Sequence, residues 1–529
     1  MNININESTL IQIQLAIVVV ALLVILVRSY PRLSDGKVWL TRACNYALVG
    51  LGVFALLAYV NFQPFSPRQQ YRDSFHYYIG SKYFPELGYT RLYACVARAE
   101  AESTDPSVRI SAYSRLIGDI GIAEGQANVV TRLVPARRYI FDDAFCRSRF
   151  SALRWDNFKS DVAFFHSRMS DWNWTATQGD HGFNPPPAWT LMGGFISNMI
   201  PLSDPALMGV TLIDIALLFG IIACMVWAFG LSTAAFAVII GTATIDSWDM
   251  IGGSMLRFDW LFMAIFSICT MKREHYVLAG AALGYAAMLR LFPAVFALGP
   301  FAGLLYAVYK RQHDLKATYA NFFAGMVISS AVLVASATAV YGGDAYKGFF
   351  DNSKRHAAVI ALNNVGLRQV LVYGFDEKSH QRTFKTLDDR IPWRTAIIEA
   401  RKKVAPIYVA VVAVALLLFI PAALSCGPWQ SVALSALFVP FMWTELASYY
   451  YLLLMIAATL FADNWKVAFP LLGVGVVSGI GRLYGMNMGD FHVLLSAVIC
   501  IGALVIWWQI NTRTLFWRQA LSIFRIRKT

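Results

Sequence analysis

The sequence predicts an all-α polytopic membrane protein with about thirteen transmembrane helices and two large structured outer loops. Three observations carry this. The 529 residues are 57% hydrophobic and only 15% charged, with 14% aromatic, a balance too apolar for a soluble enzyme. Apolar runs near the ~20 residues needed to cross a ~30 Å hydrocarbon core recur along the chain. Basic residues collect in alternate connections between those runs. The formal charge of +13 would otherwise suggest nucleic acid. Positive-inside bias accounts for much of it, and no nucleic-acid partner is expected.

The first run, 11–28, has no basic residue before it and no small-residue cleavage site, so it reads as a retained span. Arg28, Arg32, Lys37 and Arg42 follow it, which places the N-terminus outside and the first loop in the cytoplasm. Further spans are expected at 44–61, 204–227, 231–247, 256–271, 275–291, 293–309, 321–341, 405–424, 429–444, 446–463, 466–484 and 490–511. Lys272, Arg273, Lys310, Arg311, Lys316 and the basic tail from Arg513 to Lys528 then all fall inside.

The expected domains are 1–43 (an extra helix and cytoplasmic loop), 44–341 (a membrane core with the first outer loop, 62–203), 342–404 (the second outer loop) and 405–529 (C-terminal helices and tail). Both outer loops are too long for plain connections and should carry structure and function. PPAWTLMGGFISNMI (186–200) is apolar but opens within a run of prolines. It reads as an interfacial or re-entrant helix; were it to span, the parity upstream would change. Cys95 and Cys146 lie in the first outer loop, where an oxidising compartment would allow them to pair; two buried thiols are the plainer alternative.

Polar clusters interrupt this apolar chain. YRDSFHYYIG (71–80) follows the second span, with Asp73, His76 and Tyr77 at helical spacing on one face. An interfacial aromatic belt explains the tyrosines. It does not explain Asp73, because a carboxylate near hydrocarbon is costly and tends to mark function. In WNWTATQGDHGFNPPPAWT (172–190), two glycines and three prolines stiffen a loop holding Asp180, His181 and Asn184. That loop is either a preorganised binding element or a rigid turn.

TIDSWDMIGGSMLRFDWLF (244–262) concentrates Asp246, Asp249, Arg257 and Asp259. Arg257 and Asp259 form either a buried ion pair or an anion site in which Asp259 orients the arginine, whose planar fork suits phosphate. Arg290, in GYAAMLRLFPAV (284–295), is either a snorkelling side chain or a second anion ligand. Lys354, Arg355 and His356 are either a headgroup-facing surface or phosphate ligands. Glu445, beside Tyr449–Tyr451, is the exception to another aromatic belt.

The chain lacks a Walker loop, a dinucleotide-binding glycine motif and a paired-cysteine zinc site. No cofactor is required by these clusters; a divalent metal between Asp73 and Asp180 stays open.

Together the clusters resemble the GT-C class of membrane glycosyltransferases, and within it the bacterial polyprenyl-phosphate-mannose-dependent mannosyltransferases. RDSFHYY stands where that class carries an essential acidic residue after a membrane helix. GFNPPPAWTLMG is similar to the Pro-rich aromatic close of its first outer loop. RFDW (257–260) and RLFP (290–293) stand at two later helix boundaries, and FFDNSKRHAAVIALNNVGL at a later aromatic loop. The likeness covers roughly residues 45–460. The chain departs from it in the added helix 11–28, in Arg257 replacing a Gly-Gln opening, in an extra segment around 95–170 and in lacking a large soluble C-terminal domain.

The resemblance implies inverting transfer of a sugar (mannose, or another hexose or pentose) from a polyprenyl-phosphate donor. The acceptor would be a glycan, glycolipid or protein on the outer face of a bacterial inner membrane. Asp73 would be the general base. Arg257, Arg290, Lys354, Arg355 and His356 would bind the donor phosphate. His76, Tyr77, Asp180, His181, Asn184, Asp259 and Glu445 would contact sugar or acceptor, and Trp172, Trp174 and Trp189 offer faces for stacking. The rival readings are a lipid-linked glycan ligase or polymerase, a transporter or flippase, and a non-catalytic subunit. A transporter would place polar groups at the membrane midplane; here Asp214 is the main in-span exception.

Overall fold

The computed structural model describes residues 5–30, 38–60, 62, 70–119, 133–244, 255–358, 361–373, 390–443 and 446–512. They are overwhelmingly helical. The strands among them form two antiparallel pairs of two residues each, Leu116–Ile117 with Val134–Pro135 and Asn364–Val365 with Leu446–Ala447.

Among the described residues eight helices are long and apolar enough to cross a bilayer: Glu7–Ser29, Val38–Tyr59, Asp204–Phe229, Phe292–Tyr309, His313–Tyr341, Pro392–Leu424, Trp465–Leu483 and Met488–Asn511. They mark an integral membrane protein. The other five expected positions hold shorter or broken helices, including Leu231–Ala243, Asp259–Lys272 and Tyr276–Leu289, with 13, 14 and 14 residues. At 1.5 Å per residue these are about 20 Å long, and residues 231–243 are almost wholly buried. An apolar run that packs inside a bundle reads like a span by composition. The helix Pro187–Met199 has 13 residues and packs on helices 71–82 and 313–341.

Small residues let the helices approach closely. A Cβ on Gly280 would fall 1.7 Å from the Phe322 carbonyl oxygen, and one on Gly325 would fall 1.9 Å from that of Val277. Helices 276–289 and 313–341 therefore cross backbone to backbone, as small-residue interfaces allow in membranes. Helix 313–341 also exposes Val327, Ile328, Val332 and Val340, apolar surface suited to lipid.

The described residues of 70–203 form a helical domain whose buried side chains are continuous with those of the membrane helices. Cys95 and Cys146 are bonded, with Cα atoms 5.3 Å apart, so the pairing open in the sequence is made. Beside it, buried Glu100 accepts from Trp174 Nε1 at 2.9 Å and lies 2.7 Å from His166 Nδ1; it is also ion-paired to buried Arg115. Helix 71–82 is tied to helix 152–167 by Lys82–Asp161 at 2.6 Å and to the membrane bundle by Tyr71, whose hydroxyl donates to Asp204 at 3.0 Å. Lys82, Glu86 and Tyr89 all serve such ties: Arg154 holds Glu86 at 2.8 Å, and Tyr89 donates to the Pro185 carbonyl at 3.0 Å.

Candidate functional site

Where this domain meets the membrane helices there is a cavity of about 1600 Å³. Asp73, His76, Tyr77, Asp180, His181, Asn184, Arg257 and Arg290 all line it. Four separate stretches of sequence are thereby brought to one space.

Asp73 lies in the first turn of helix 71–82. Its carboxylate is ion-paired with Arg257, the two side chains being 26% and 14% exposed. This corrects one sequence expectation: Arg257 pairs with Asp73, not with Asp259. The backbone explains why. Leu256 has φ +52°, an unfavourable conformation for a branched side chain, and the chain turns there before helix 259–272 begins. Arg257 is aimed into the cavity, whereas Asp259 is buried at the helix start and does not line it.

Asp214, the in-span carboxylate, holds this turn in place. It accepts from the backbone N–H of Phe258 at 3.0 Å and from that of Arg257. Helix 259–272 lacks a side-chain cap of its own, so a neighbouring helix supplies the acceptor.

Both arginines lie on aromatic faces. The Arg257 guanidinium is 5.2 Å from the Tyr449 ring centre, and Arg290 is 5.9 Å from that of Trp189, within cation–π range. Arg72 pairs with Asp180 at 3.0 Å, Arg168 with Asp204 at 2.7 Å, and Arg115 with Glu100. Among the described residues Arg290 has no ion pair within 4 Å; Tyr450, Tyr77 and Asp259 are among the groups that act on it electrostatically. Arg257 and Arg290 thus stand together in one part of the cavity, beside Asp73 and with Asp214 and Asp259 as buried carboxylate neighbours, and their planar forks suit an anion.

His76 is buried and its Nε2 lies 2.6 Å from the Tyr93 hydroxyl. The other ring nitrogen bonds the Thr177 backbone. Burial holds the imidazole below its ordinary value, against the pull of Asp180 and Asp73. The Tyr93 hydroxyl also accepts from the Gly182 N–H at 3.0 Å. His76 is thus a support for the glycine–proline loop.

His181 Nδ1 lies 2.6 Å from Asp180. Burial would raise the Asp180 carboxyl, but hydrogen bonding and charge from His181, followed by His76 and Arg72, override it and hold the group well below the usual carboxylate range.

Other expected residues lie elsewhere. Lys354 is 80% exposed and 3.9 Å from Asp351, and Arg355 bonds Asn352 at 3.4 Å; neither lines the cavity. Their helix turns Phe349, Asn352 and Ser353 inward instead. The His356 side chain, Glu445, Asp246 and Asp249 lie outside the described residues. Trp174 and Trp189 are fully buried, so Trp172, 76% exposed at the cavity mouth, is the tryptophan free to stack. Arg394, Asn352 and Tyr450 line the cavity without having been expected as ligands. The spacing 349, 352, 353 on an amphipathic helix was the available signal for Asn352; none marked Arg394.

Among the described residues no three His, Cys, Asp or Glu side chains gather as a metal site. Asp73 and Asp180 each face an arginine. Compared with protein-family models, curated proteins and solved structures, the chain matches none.

Proposed function

We propose that this protein is an inverting glycosyltransferase. It moves a sugar, mannose or a related hexose or pentose, from a polyprenyl-phosphate donor to a glycan, glycolipid or protein acceptor at the outer face of a bacterial inner membrane. One observation carries the reading. A single cavity between the 70–203 domain and the membrane helices joins a carboxylate, Asp73, to two arginines, Arg257 and Arg290, from different helix boundaries.

The chemistry fits those groups. A sugar on a polyprenyl phosphate is already activated, and the phosphate leaves as an anion. Arg290 and Arg257 stabilise that charge, and aromatic walls strengthen the effect by limiting water around it. Asp73 accepts the proton of the attacking acceptor hydroxyl. Attack opposite the leaving group inverts the anomeric centre. Asp180, His181 and Asn184 sit on a loop stiffened by prolines and braced by Tyr93 and His76, which suits them to orient the acceptor. Trp172 at the mouth offers a face for a sugar ring.

The test is a mass comparison of glycans and glycolipids from cells carrying wild-type protein, none, or Asp73→Asn at equal membrane abundance. A hexose or pentose missing from both the deletion and Asp73→Asn is expected. Full restoration by Asp73→Asn would remove Asp73 as base, and no glycan change in either strain would refute the transferase reading.

A further inference from the structure

We propose that Arg257 is shared between the base and the donor phosphate, and changes partner as transfer proceeds. This rests on the reading of the cavity as a lipid-phosphate site. The resting structure poses the problem. The carboxylate that must take a proton is ion-paired with an arginine, so it is already engaged before an acceptor hydroxyl arrives. Arg290 lines the same cavity and has no ion pair within 4 Å among the described residues, Asp259 being the carboxylate whose charge acts on it.

Charge counting shows how the pair is relieved. Asp214 and Asp259 are fixed neighbours of Arg257 and Arg290; the charges that transfer redistributes are the one on the donor's phosphodiester and the one on Asp73. In transfer the acceptor oxygen bonds the anomeric carbon. The bond from that carbon to the phosphate oxygen breaks, and its electron pair stays on the phosphate. The acceptor proton passes to Asp73. The product phosphomonoester then carries close to two negative charges, and Asp73 carries none.

The sum over Asp73 and the phosphate is minus two throughout, but its location moves from Asp73 to the phosphate. Arg257, which begins on Asp73, is the group that can follow it. Its main chain is fixed by Asp214 and by the turn at Leu256. Its side chain is partly exposed to the cavity and rests on the Tyr449 face, against which a planar guanidinium can pivot. Donor entry draws Arg257 off Asp73 and so creates the base only when a donor is present.

The experiment measures binding of undecaprenyl monophosphate to the full-length protein in nanodiscs at pH 8, without any transfer reaction. Arg257→Gln and Arg290→Gln should each weaken binding about tenfold or more. Asp73→Asn should tighten it about threefold or more, because Arg257 is released to the phosphate. The same Asp73→Asn change in the Arg257→Gln background should give no gain, since a coupling through Arg257 vanishes when Arg257 is absent. If Arg257→Gln does not fold, Arg257→Lys, which lacks the planar fork, takes its place and should reduce the gain.

An equal gain in both backgrounds would overturn the proposal, since Asp73 would then act by simple repulsion. So would unchanged or weaker binding on Asp73→Asn alone. In either case Arg290-dependent binding would leave the lipid-phosphate reading standing. If the wild-type protein does not bind the monophosphate, that reading falls and the sharing of Arg257 falls with it.

Discussion

Replacing Glu100 by Gln should destabilise the 70–203 domain more than any other single isosteric change there. Glu100 and Arg115 are 3% and 1% exposed. Arg115 also donates to Gln178 at 3.0 Å and to Ser111 at 3.1 Å, but Glu100 is the carboxylate that balances its charge. Removing one partner of a buried ion pair costs about 3–5 kcal/mol, because the remaining charge stays buried. The amide of the new Gln adds to this, since its NH₂ must face one of three groups, Arg115, Trp174 or His166, that now approach the carboxylate.

At about 2–4 °C per kcal/mol for a domain of this size, the loss is about 6 °C or more in melting temperature. The consequence reaches the site, because Trp174 packs edge-on against Phe75 at 5.1 Å, and Phe75 lies on the helix that carries Asp73. Thermal unfolding of the detergent-solubilised protein, read alongside protease sensitivity of the 70–203 domain, measures the effect. Adding Arg115→Met should recover part of it. A Glu100→Gln protein melting within about 2 °C of wild type would refute this reasoning, because a buried uncompensated arginine cannot be that cheap.

Three further outcomes are expected. Cys146→Ser opens a loop of 51 residues and should cost about 4 kcal/mol by the chain-entropy relation, seen as a lower melting temperature that reductant reproduces in the wild type. Gly118→Ala would put a Cβ 2.3 Å from the Asp180 carbonyl oxygen and 2.8 Å from that of Gly179; as backbone cannot swing aside, a loss of about 1–3 kcal/mol is expected. Gly343→Ala, with open space around it, is the control. His76 and Asp180 both have lowered folded values, so the unfolded chain binds more protons and stability falls with acid. The His76 part is lost below about pH 6.5 and the Asp180 part below about pH 4. Melting curves from pH 8 to 5 should therefore slope downward, and His76→Gln should flatten the slope; greater stability in acid would contradict a neutral buried His76.

The helical membrane architecture was legible because apolar runs of span length are a property of composition. Telling a span from a core helix was not. Residues 231–243 are as apolar as a lipid-facing helix, yet Phe236, Ile239 and Ile240 are fully enclosed by neighbours. Asp73 was legible as a carboxylate with no bland account. Its partner was not, because the sequence offers Asp259 two residues from Arg257, while the pair actually made spans 184 positions. Asp214 was noticed as an anomaly, but its role in fixing a turn on another helix is a tertiary fact. Cys95 and Cys146 could be nominated from their shared loop, and only the fold brings them together.

The cavity walls come from residues as far apart as Gln70 and Met488. Translation delivers them in order: the acid first, the two arginines nearly two hundred residues later, and Tyr449, Tyr450 and Met488 near the end. A chain stopped at residue 440 already holds both cysteines, Asp73 and the two arginines, yet it lacks the wall residues Trp443, Leu446, Tyr449, Tyr450 and Met488. The charged groups and this part of the wall are thus supplied at separate times in biosynthesis. An incomplete protein in the membrane carries the charged groups without the walls that would make them useful.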